Sequence, residues 1–232
     1  MSRRTRQPAG EGSVSTSVGD YLKAVWSLGR DGPVTTGGLA ARLGVAPASV
    51  SGMVVRLHRL GLLEHIPYHG VSLTAEGNRQ ALRLVRRHRL LETFLVERLG
   101  YAWDEVHAEA EVLEHAVSDR FIDRLSRLLG EPTHDPHGDP VPTAGGKIPP
   151  TPDQPLTMAA DGTRFRVHRL HTQDPAALAR LDRLGLKPGV VVDRLAGGTV
   201  FLMLQIAGSR RRVPLELARL VHGEPIPGPE QT

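Results

Sequence analysis

The sequence predicts a mainly α-helical protein of several domains, with a small β domain at its C-terminal end. Helical patterns of apolar residues fill most of residues 17–129, with one short hairpin pattern among them. A stretch rich in proline and glycine follows, and from about residue 158 the pattern becomes that of short strands separated by glycines. Helices first and strands afterwards indicate separate layers rather than one alternating α/β sheet.

Composition limits the classes of protein that remain possible. The chain has 232 residues, 40% of them hydrophobic, and no cysteine, which excludes disulfides, thiolate zinc sites and cysteine nucleophiles. It has no apolar run near 18 residues and no apolar signal core in its first 15, so we expect a cytoplasmic protein without a membrane partner. The net charge is only +4, yet clustered arginines permit a polyanion as partner. The clustered arginines are Arg3, Arg4, Arg6, Arg83, Arg86, Arg87 and Arg89.

The first elements follow the order of a winged helix-turn-helix. "SVGDYLKAVWSLG" has the period of an amphipathic helix, and "TTGGLAARLG" begins a second helix at Thr35 or Thr36 and stops it at Gly44. "VAPASVSGMVVRLHRLG" places Pro47 near the start of a third helix and ends it at Gly61. "LLEHIPYHGVSLT" is typical of two strands joined by the turn "PYHG". This order, with the short turn "GVAP" between the second and third helices, predicts a DNA-binding domain.

The third helix is the predicted recognition helix. Its first turn is small and polar, which allows close approach to the major groove but little bidentate reading of bases. Specificity is therefore expected from thymine-methyl contacts and DNA shape. A helical hairpin that contacts another protein is the alternative, and the hairpin wing favours DNA. The residues predicted to contact DNA are Pro47, Ala48, Ser49, Ser51, Arg56, Tyr68 and His69.

Two long helices are predicted next. One runs from Thr74 to about Leu99, and a second runs from Asp104 to Leu129 with Gly130 after it. Helices of this length cannot bury both faces within a small winged domain, so they predict a helical dimerisation layer.

The remainder is a connector followed by the β domain. "EPTHDPHGDPVPTAGGKIPPTPDQP" has the composition of a connector. "FRVHRL", "GVVVDRLAGG" and "TVFLMLQIAG" are predicted strands, with a hairpin turn at Gly197 and Gly198 and a short helix at "DPAALARLDRLG". We interpret this region as a small β-barrel.

Histidines and acids are spaced to converge on these long helices. Residues three and four apart share a helix face, and two antiparallel helices could bring two such faces together. Imidazoles and carboxylates around one point form a site for a divalent metal. The side chains concerned are His88 and Glu92 on the first long helix, and His107, Glu111, Glu114 and His115 on the second.

The alternative is an ordinary solvated helix. Glutamate-rich helix faces are commonly wet, and His88 lies between Arg87 and Arg89, so it could belong to a basic surface. Spacing alone leaves both interpretations open. A metal-dependent hydrolase is a weaker alternative, because the motifs H-E-x-x-H, G-x-S-x-G, G-x-G-x-x-G and the P-loop are all absent. The sequence predicts neither an enzyme nor a small organic substrate.

Two segments carry a resemblance to a known family. "RRHRLLETFLVERLGYAWDEVHAEAEVLEHAVSD", followed by "DPHGDPVP", closely resembles the diphtheria-toxin-repressor family, and more narrowly its manganese-responsive branch. The similarity covers about residues 17–220 in the family's order of domains. It implies a homodimeric repressor of metal-homeostasis genes that binds palindromic double-stranded operator DNA when Mn²⁺ or Fe²⁺ is bound. A metal-independent winged-helix regulator is the runner-up.

The resemblance and the patterns together set the expected domain boundaries. The expected domains are a disordered tail at 1–16, the winged helix-turn-helix domain at 17–76, the helical metal-binding and dimerisation domain at 77–145, a linker at 146–157, and an SH3-like domain of the FeoA type at 158–222.

The resemblance implies a primary metal site of four ligands. The iron-responsive branch has methionine at the position of Asp20 and cysteine at that of Glu111. Carboxylates at both positions favour Mn²⁺ or Fe²⁺, although other divalent metals would bind in vitro. Lys23 stands where some manganese regulators have an acid, which argues against a second metal adjacent to the first. The implied primary ligands are Asp20, Glu111, Glu114 and His115.

The resemblance also implies an ancillary metal site. Its ligands on the helices match His88, Glu92 and His107, and an acid from the SH3-like domain matches Asp174. The next ligand position of the family falls on Ala177, which cannot bind a metal.

Overall fold

The computed structural model describes residues 15–66, 69–151 and 153–227. They form two compact units, the first ending at Leu84 and the second beginning at Val85. The elements of the first unit are α1 (Thr16–Leu28), α2 (Thr36–Leu43), α3 (Pro47–Arg59), β1 (Leu63–Ile66) and β2 (Gly70–Leu73), and α4 (Ala75–Leu99) crosses the boundary. The elements of the second unit are α5 (Val106–Glu114), α6 (Asp119–Leu128), β3 (Gln154–Pro155), β4 (Arg164–Leu170), α7 (Pro175–Leu184), β5 (Val191–Gly197), β6 (Phe201–Ile206), β7 (Ser209–Pro214), α8 (Leu215–Ala218) and β8 (Val221–Ile226).

The first unit has the predicted winged helix-turn-helix order. The Thr35 hydroxyl accepts a hydrogen bond from the Gly38 N–H at 3.0 Å and begins α2, and Gly44 ends it in the left-handed conformation at φ 64°. Pro47 opens α3, where its missing N–H costs no hydrogen bond. β1 and β2 pair as an antiparallel hairpin with Leu63 opposite Leu73. Apolar side chains of all three helices and the hairpin bury one core, which confirms this part of the predicted fold.

The second long helix of the prediction is wrong, because it is broken after Glu114. The N–H groups of Ala116 and Val117 turn back to the Leu113 carbonyl at 2.9 and 3.2 Å, and Ser118 then caps α6 by accepting from the Phe121 N–H. A serine cap gives the new helix a start that an uninterrupted helix would not need. His115 consequently lies at the end of α5 rather than inside a helix.

Arg87 of α4 holds this break in place. Its guanidinium donates to Asp119 Oδ1 at 2.7 Å and to the backbone carbonyl of Glu114 at 3.2 Å. The carbonyls of a last helical turn lack partners within the helix, so this contact stabilises the end of α5. The neighbouring Arg86 donates to the Pro142 carbonyl at 2.8 Å, and Arg89 donates to that of Pro140. These arginines of the predicted basic cluster therefore anchor the segments packed against α4.

The C-terminal domain is an open antiparallel sheet of strand order β3-β8-β4-β5-β6-β7. Phe165 and other apolar side chains from the strands and α7 form its core. The predicted closed barrel is not found, because no pairing joins the edge strands β3 and β7 within residues 153–227. β3 has only two residues and pairs with β8, and the other edge carries exposed arginines. β3 and the buried Leu156 belong to this sheet, although the sequence placed residues 146–157 in a linker.

No single helix of the described ranges is long and apolar enough to cross a membrane; α2 and α3 reach that length only when counted together, across a bend of 111°.

His222 of β8 should make the free energy of unfolding depend on pH. Burial lowers its pKa below the usual 6.5, and Arg169 and His171 lower it further against the opposing charge of Asp153. The unfolded chain therefore binds this proton more tightly than the folded protein, so stability falls as pH drops through and below about 6.5. When the pH falls from about 7.5 to about 5.5, we expect the free energy of unfolding of His222→Gln to decrease less than that of the unchanged chain. Urea unfolding in the presence of chelator measures this free energy.

The exposed His65 provides the control for this experiment, since His65→Gln should keep the full pH dependence. Equal pH dependence in His222→Gln and the unchanged chain would contradict the role of His222.

Candidate metal centre

Imidazoles and carboxylates from α4 and α5 meet inside the second unit. His88 and Glu92 are 4% and 2% exposed, and Glu114 is fully buried at 0%. Acids and histidines are rarely this buried unless they are paired or bind a metal. The interpretation of His88 as part of a basic surface is therefore wrong.

His88, Glu92 and His107 form one group, which we call the ancillary cluster. His88 Nε2 lies 2.9 Å from Glu92 Oε1 and 2.9 Å from His107 Nδ1. His107 Nδ1 lies 3.2 Å from the same Glu92 oxygen. One turn of α4 separates His88 from Glu92, so their helical spacing places both side chains at the same point. The structure brings together these three sequence-predicted residues.

Glu111, Glu114 and His115 form the second group, which we call the primary half-site. His115 Nε2 lies 3.5 Å from Glu114 Oε1. Glu111 Oε1 lies 4.0 Å from His88 Nδ1 and 3.6 Å from His107 Nε2. Asp20, the fourth residue predicted for the primary site, is a half-buried residue of α1 in the first unit.

A short contact joins the two groups. His88 Nδ1 lies 2.6 Å from Glu114 Oε2, while the other nitrogen of the same ring faces Glu92 and His107. The sequence predicted two separate sites, but one imidazole contacts both sets of ligands. A change in the charge or position of His88 therefore acts on both.

Asp174 is engaged elsewhere in the structure. It caps α7, accepting from the N–H groups of Ala176 and Ala177 at 3.3 Å each. Among the described residues, the groups of three or more ligating side chains whose atoms lie within 4.8 Å of one another do not include it. The structure thus does not bring Asp174 to the ancillary cluster.

Asp135 and His137 were missed by the sequence analysis. They lie in the segment "DPHGDP", which composition marks as a connector. His137 Nε2 donates to the Trp103 carbonyl at 3.1 Å, and His137 Nδ1 lies 3.8 Å from Glu92 Oε2. Asp135 Oδ1 accepts from the N–H groups of His137 and Asp139, each at 2.9 Å. The D-x-H spacing was the available signal.

Burial and charge act in opposite directions on the carboxyl groups of this region. Burial raises the pKa of Asp135, and the charges of Glu92 and Asp139 raise it further, to about 7. Burial alone would also raise the pKa of Glu92, but the charge of His88 and the close approach of the His107, His137 and His88 rings hold it well below its usual range. Three imidazole rings therefore surround the Glu92 carboxylate.

The predicted recognition helix presents its small residues to solvent. Val50, Val54 and Leu57 face the core, and Ser51 Oγ donates to the Pro47 carbonyl at 3.2 Å. Tyr68 lies outside the described residues. The predicted DNA contacts that are exposed are Pro47, Ala48, Ser49, Ser51, Arg56 and His69.

Three family models match successive parts of the chain. Residues 13–71 match "Iron dependent repressor, N-terminal DNA binding domain", and residues 74–143 match "Iron dependent repressor, metal binding and dimerisation domain". Residues 154–225 match "FeoA domain". Both candidate groups of metal ligands on α4 and α5 fall within the second match.

Relatives and solved structures agree with these matches. The iron-dependent repressor IdeR of Mycobacterium tuberculosis is 32% identical over 221 residues, covering 89% of this chain and 96% of the relative. The transcriptional regulator MntR of Escherichia coli O6:H1 is 39% identical over 107 residues, covering 46% of this chain and 68% of that one. The structure of a manganese-dependent transcriptional repressor in complex with manganese matches with a TM-score of 0.83 and 39% identity, covering 90% of this chain and all of that chain (100%).

Proposed function

This chain belongs to the family of iron- and manganese-dependent transcriptional repressors, and we propose that it is a repressor that is activated by Mn²⁺ and acts as a homodimer. The family consists of DNA-binding regulators and not of enzymes. The observation that carries the proposal is the buried meeting of imidazole and carboxylate atoms of α4 and α5 within the matched metal-binding domain.

Manganese is the proposed activator because of the donor atoms. Asp20, Glu111, Glu114 and His115 would supply three carboxylates and one imidazole, with no sulfur. Such hard donors suit Mn²⁺ or Fe²⁺, whereas a thiolate would favour softer metals. When bound, the ion supplies the positive charge that lets these carboxylates lie together. The manganese complex of a 39% identical repressor supports the same choice.

His88 would couple the primary site to the ancillary site. When its Nε2 faces a metal in the ancillary cluster, its Nδ1 keeps the proton and donates to Glu114 Oε2, at the observed 2.6 Å. A carboxylate that accepts from a metal-bound histidine fixes the ring and strengthens it as a ligand. Metal in the ancillary cluster thereby also orients a ligand of the primary site.

Asp174 is proposed as the ancillary ligand from the FeoA domain only in a rearranged state. Its carboxylate caps α7, and release from a cap costs about 1 kcal/mol. Metal binding to its oxygens would have to offset that cost.

The switch would act through the placement of ligands on two units. Asp20 belongs to α1 of the DNA-binding unit, whereas the primary half-site belongs to the second unit. A metal held by both would restrict their relative movement and increase the population of the DNA-binding arrangement. In the dimer, two α3 helices would then meet the half-sites of a palindromic operator.

Exposed apolar side chains on α6 support dimerisation. Phe121 and Leu128 are 44% and 62% exposed, and their spacing of seven residues places them on one face of the helix. The surrounding domain matches a dimerisation domain.

Fluorescence anisotropy with a labelled promoter fragment tests the proposal. We expect Mn²⁺ to raise the DNA affinity of the metal-free chain by about 5- to 150-fold, the usual range for coupled binding sites. Affinity should also fall with added salt, because phosphate contacts release counterions. Mg²⁺ at the same concentration is the control and should have little effect. Equal affinity with Mn²⁺ and with chelator would instead support a metal-independent regulator.

A further inference from the structure

A second group of ligating side chains converges on the other oxygen of Glu92. Glu92 Oε1 faces the ancillary cluster, whereas Oε2 faces His137, and Asp135 lies beside both. Glu92, Asp135 and His137 are 2%, 8% and 4% exposed. We propose that Glu92 Oε2, the Asp135 carboxylate and His137 Nδ1 form a third site for a divalent cation, which we call the Glu92–Asp135–His137 site.

The orientation of the His137 ring supports this site. A carbonyl oxygen only accepts hydrogen bonds, so Nε2 carries the proton that it donates to Trp103. In the neutral ring Nδ1 then has a lone pair, and it points to Glu92 Oε2 across 3.8 Å, which is too long for a hydrogen bond. Histidines that bind a metal commonly have this arrangement, with the remote nitrogen held by a backbone carbonyl.

The charges nearby leave room for a cation. Arg89 Nε lies 3.5 Å from Asp135 Oδ2, and Arg89 Nη2 lies 3.7 Å from Asp139 Oδ1. Arg169 Nη1 also lies 3.5 Å from Asp139 Oδ1, so Arg89 is divided between Asp135 and a carboxylate that has a second guanidinium partner. Glu92 adds a third carboxylate, which faces imidazoles. Buried carboxylates are stabilised when they are paired or coordinate a metal. A divalent ion between Asp135 and Glu92 would supply the charge that Arg89 only partly provides.

The distances fit an ion after a small closure. One ligand atom from each of the three residues lies within 4.8 Å of the others. Two ligands of a tetrahedral ion at about 2.1 Å are about 3.4 Å apart, so His137 Nδ1 and Glu92 Oε2, now at 3.8 Å, would close by about 0.4 Å and Asp135 by no more than about 1.4 Å. Two carboxylates and an imidazole suit Mn²⁺, Fe²⁺ or Zn²⁺. Glu92 would then bridge this ion and the ion of the ancillary cluster, one through each oxygen.

The new site adjoins the C-terminal sheet. The Leu170 N–H of β4 donates to the His137 carbonyl at 2.8 Å. Gly138, at φ 87°, packs so closely that a Cβ would lie 2.0 Å from the His168 carbonyl oxygen. A cation bound by His137 would stiffen the loop on which β4 rests and so make the seating of the C-terminal sheet sensitive to metal.

Metal counting on the full chain tests the site. Each purified variant is freed of metal, dialysed against Mn²⁺ and analysed by mass spectrometry for bound ions. His137→Gln removes the ligand while its amide can still donate to Trp103, and it should bind one ion per subunit fewer than the unchanged chain. His107→Gln removes a ligand of the ancillary cluster and should also lose one ion. His134→Gln, an exposed histidine of the same segment, should lose none. An unchanged count in His137→Gln overturns the proposal.

Electron paramagnetic resonance gives a second measurement on the same samples. Two Mn²⁺ ions bridged by the carboxylate of Glu92 should broaden each other's signal. His137→Gln should lose this coupling and keep only the weaker coupling between the ions of the ancillary and primary sites. A spectrum of His137→Gln identical to that of the unchanged chain overturns the proposal.

If circular dichroism shows that His137→Gln does not fold, Asp135→Asn replaces it in the test. The asparagine amide oxygen can still accept hydrogen bonds from the N–H groups of His137 and Asp139. This variant should lose the same ion, and an unchanged count would overturn the proposal.

The outcome for DNA binding is separate. If His137→Gln loses one ion but the DNA affinity of the unchanged chain does not respond to Mn²⁺, the third site is supported and the proposed function is contradicted. If Mn²⁺ raises the DNA affinity of the unchanged chain but His137→Gln keeps its full count of ions, the proposed function is supported and the third site is contradicted.

Discussion

Replacing His115 or Glu111 with alanine should abolish the increase in DNA affinity that Mn²⁺ produces. Each variant removes one donor from a primary site that would join the two units, so the ion would bind more weakly and would no longer favour the DNA-binding arrangement. His115 lies at the C-terminal end of α5, so its replacement with alanine leaves the backbone hydrogen bonds of the helix in place. We expect the affinity in saturating Mn²⁺ to fall to the value with chelator, as measured by anisotropy.

Glu105→Ala is the matched control for this experiment. Glu105 is exposed at the start of α5, and its side chain makes no capping hydrogen bond there. Glu105 carries the same charge as Glu111 and lies at the other end of the same helix, so a general effect of removing negative charge would appear in this variant too. Equal loss of activation in Glu105→Ala, Glu111→Ala and His115→Ala would contradict the assignment of ligands.

Replacing His88 with alanine should lower the free energy of unfolding of the metal-free protein far more than replacing an exposed histidine. The ring lies 2.6 Å from the fully buried Glu114 and 2.9 Å from Glu92, and removing one partner of a buried ion pair costs about 3–5 kcal/mol. Urea unfolding in the presence of chelator measures this free energy. Mn²⁺ should restore part of the loss, because an ion at Glu114 replaces the missing positive charge.

His134→Ala provides the comparison for His88. The side chain is exposed, and substitutions at such positions change stability by about 0.5 kcal/mol or less. A cost for His88→Ala no greater than that for His134→Ala would contradict the view that His88 holds the two groups of ligands together.

Local patterns predicted most of the fold but not the break after Glu114. The helices around Gly44 and Pro47 have their own start and stop signals, and the structure follows them. The residues from His115 to Val117 carry no helix-breaking signal of comparable strength, and the cap at Ser118 was the one local sign. The contact that stabilises the break comes from Arg87, 27 residues before Glu114, and such long-range contacts leave no periodic trace in a sequence.

Site residues on a regular helix could be predicted from the sequence, whereas those on an irregular loop could not. His88 and Glu92 share a helix face, so their spacing alone predicts that they point to one place. His137 reaches Glu92 from an irregular loop, where no repeat relates sequence position to direction. The sequence likewise could not predict that the C-terminal sheet stays open, because the alternation of residues along a strand defines the two faces of the sheet but not the partner of its edge strand.

The close packing of Gly138 against β4 has a consequence for how firmly the C-terminal sheet is held. Near this point the described contacts include one hydrogen bond to His137, an ion pair of 3.5 Å between Arg169 and Asp139, and the glycine itself. Trp103 adds to these contacts by packing against the core of the sheet, with Lys187 Nζ 5.2 Å from the centre of its ring. The covalent tether that follows this loop raises the effective concentration of the sheet to the millimolar range, so its docking requires little intrinsic affinity. An ion bound by His137 would therefore need only a small free energy to change how often the sheet is docked.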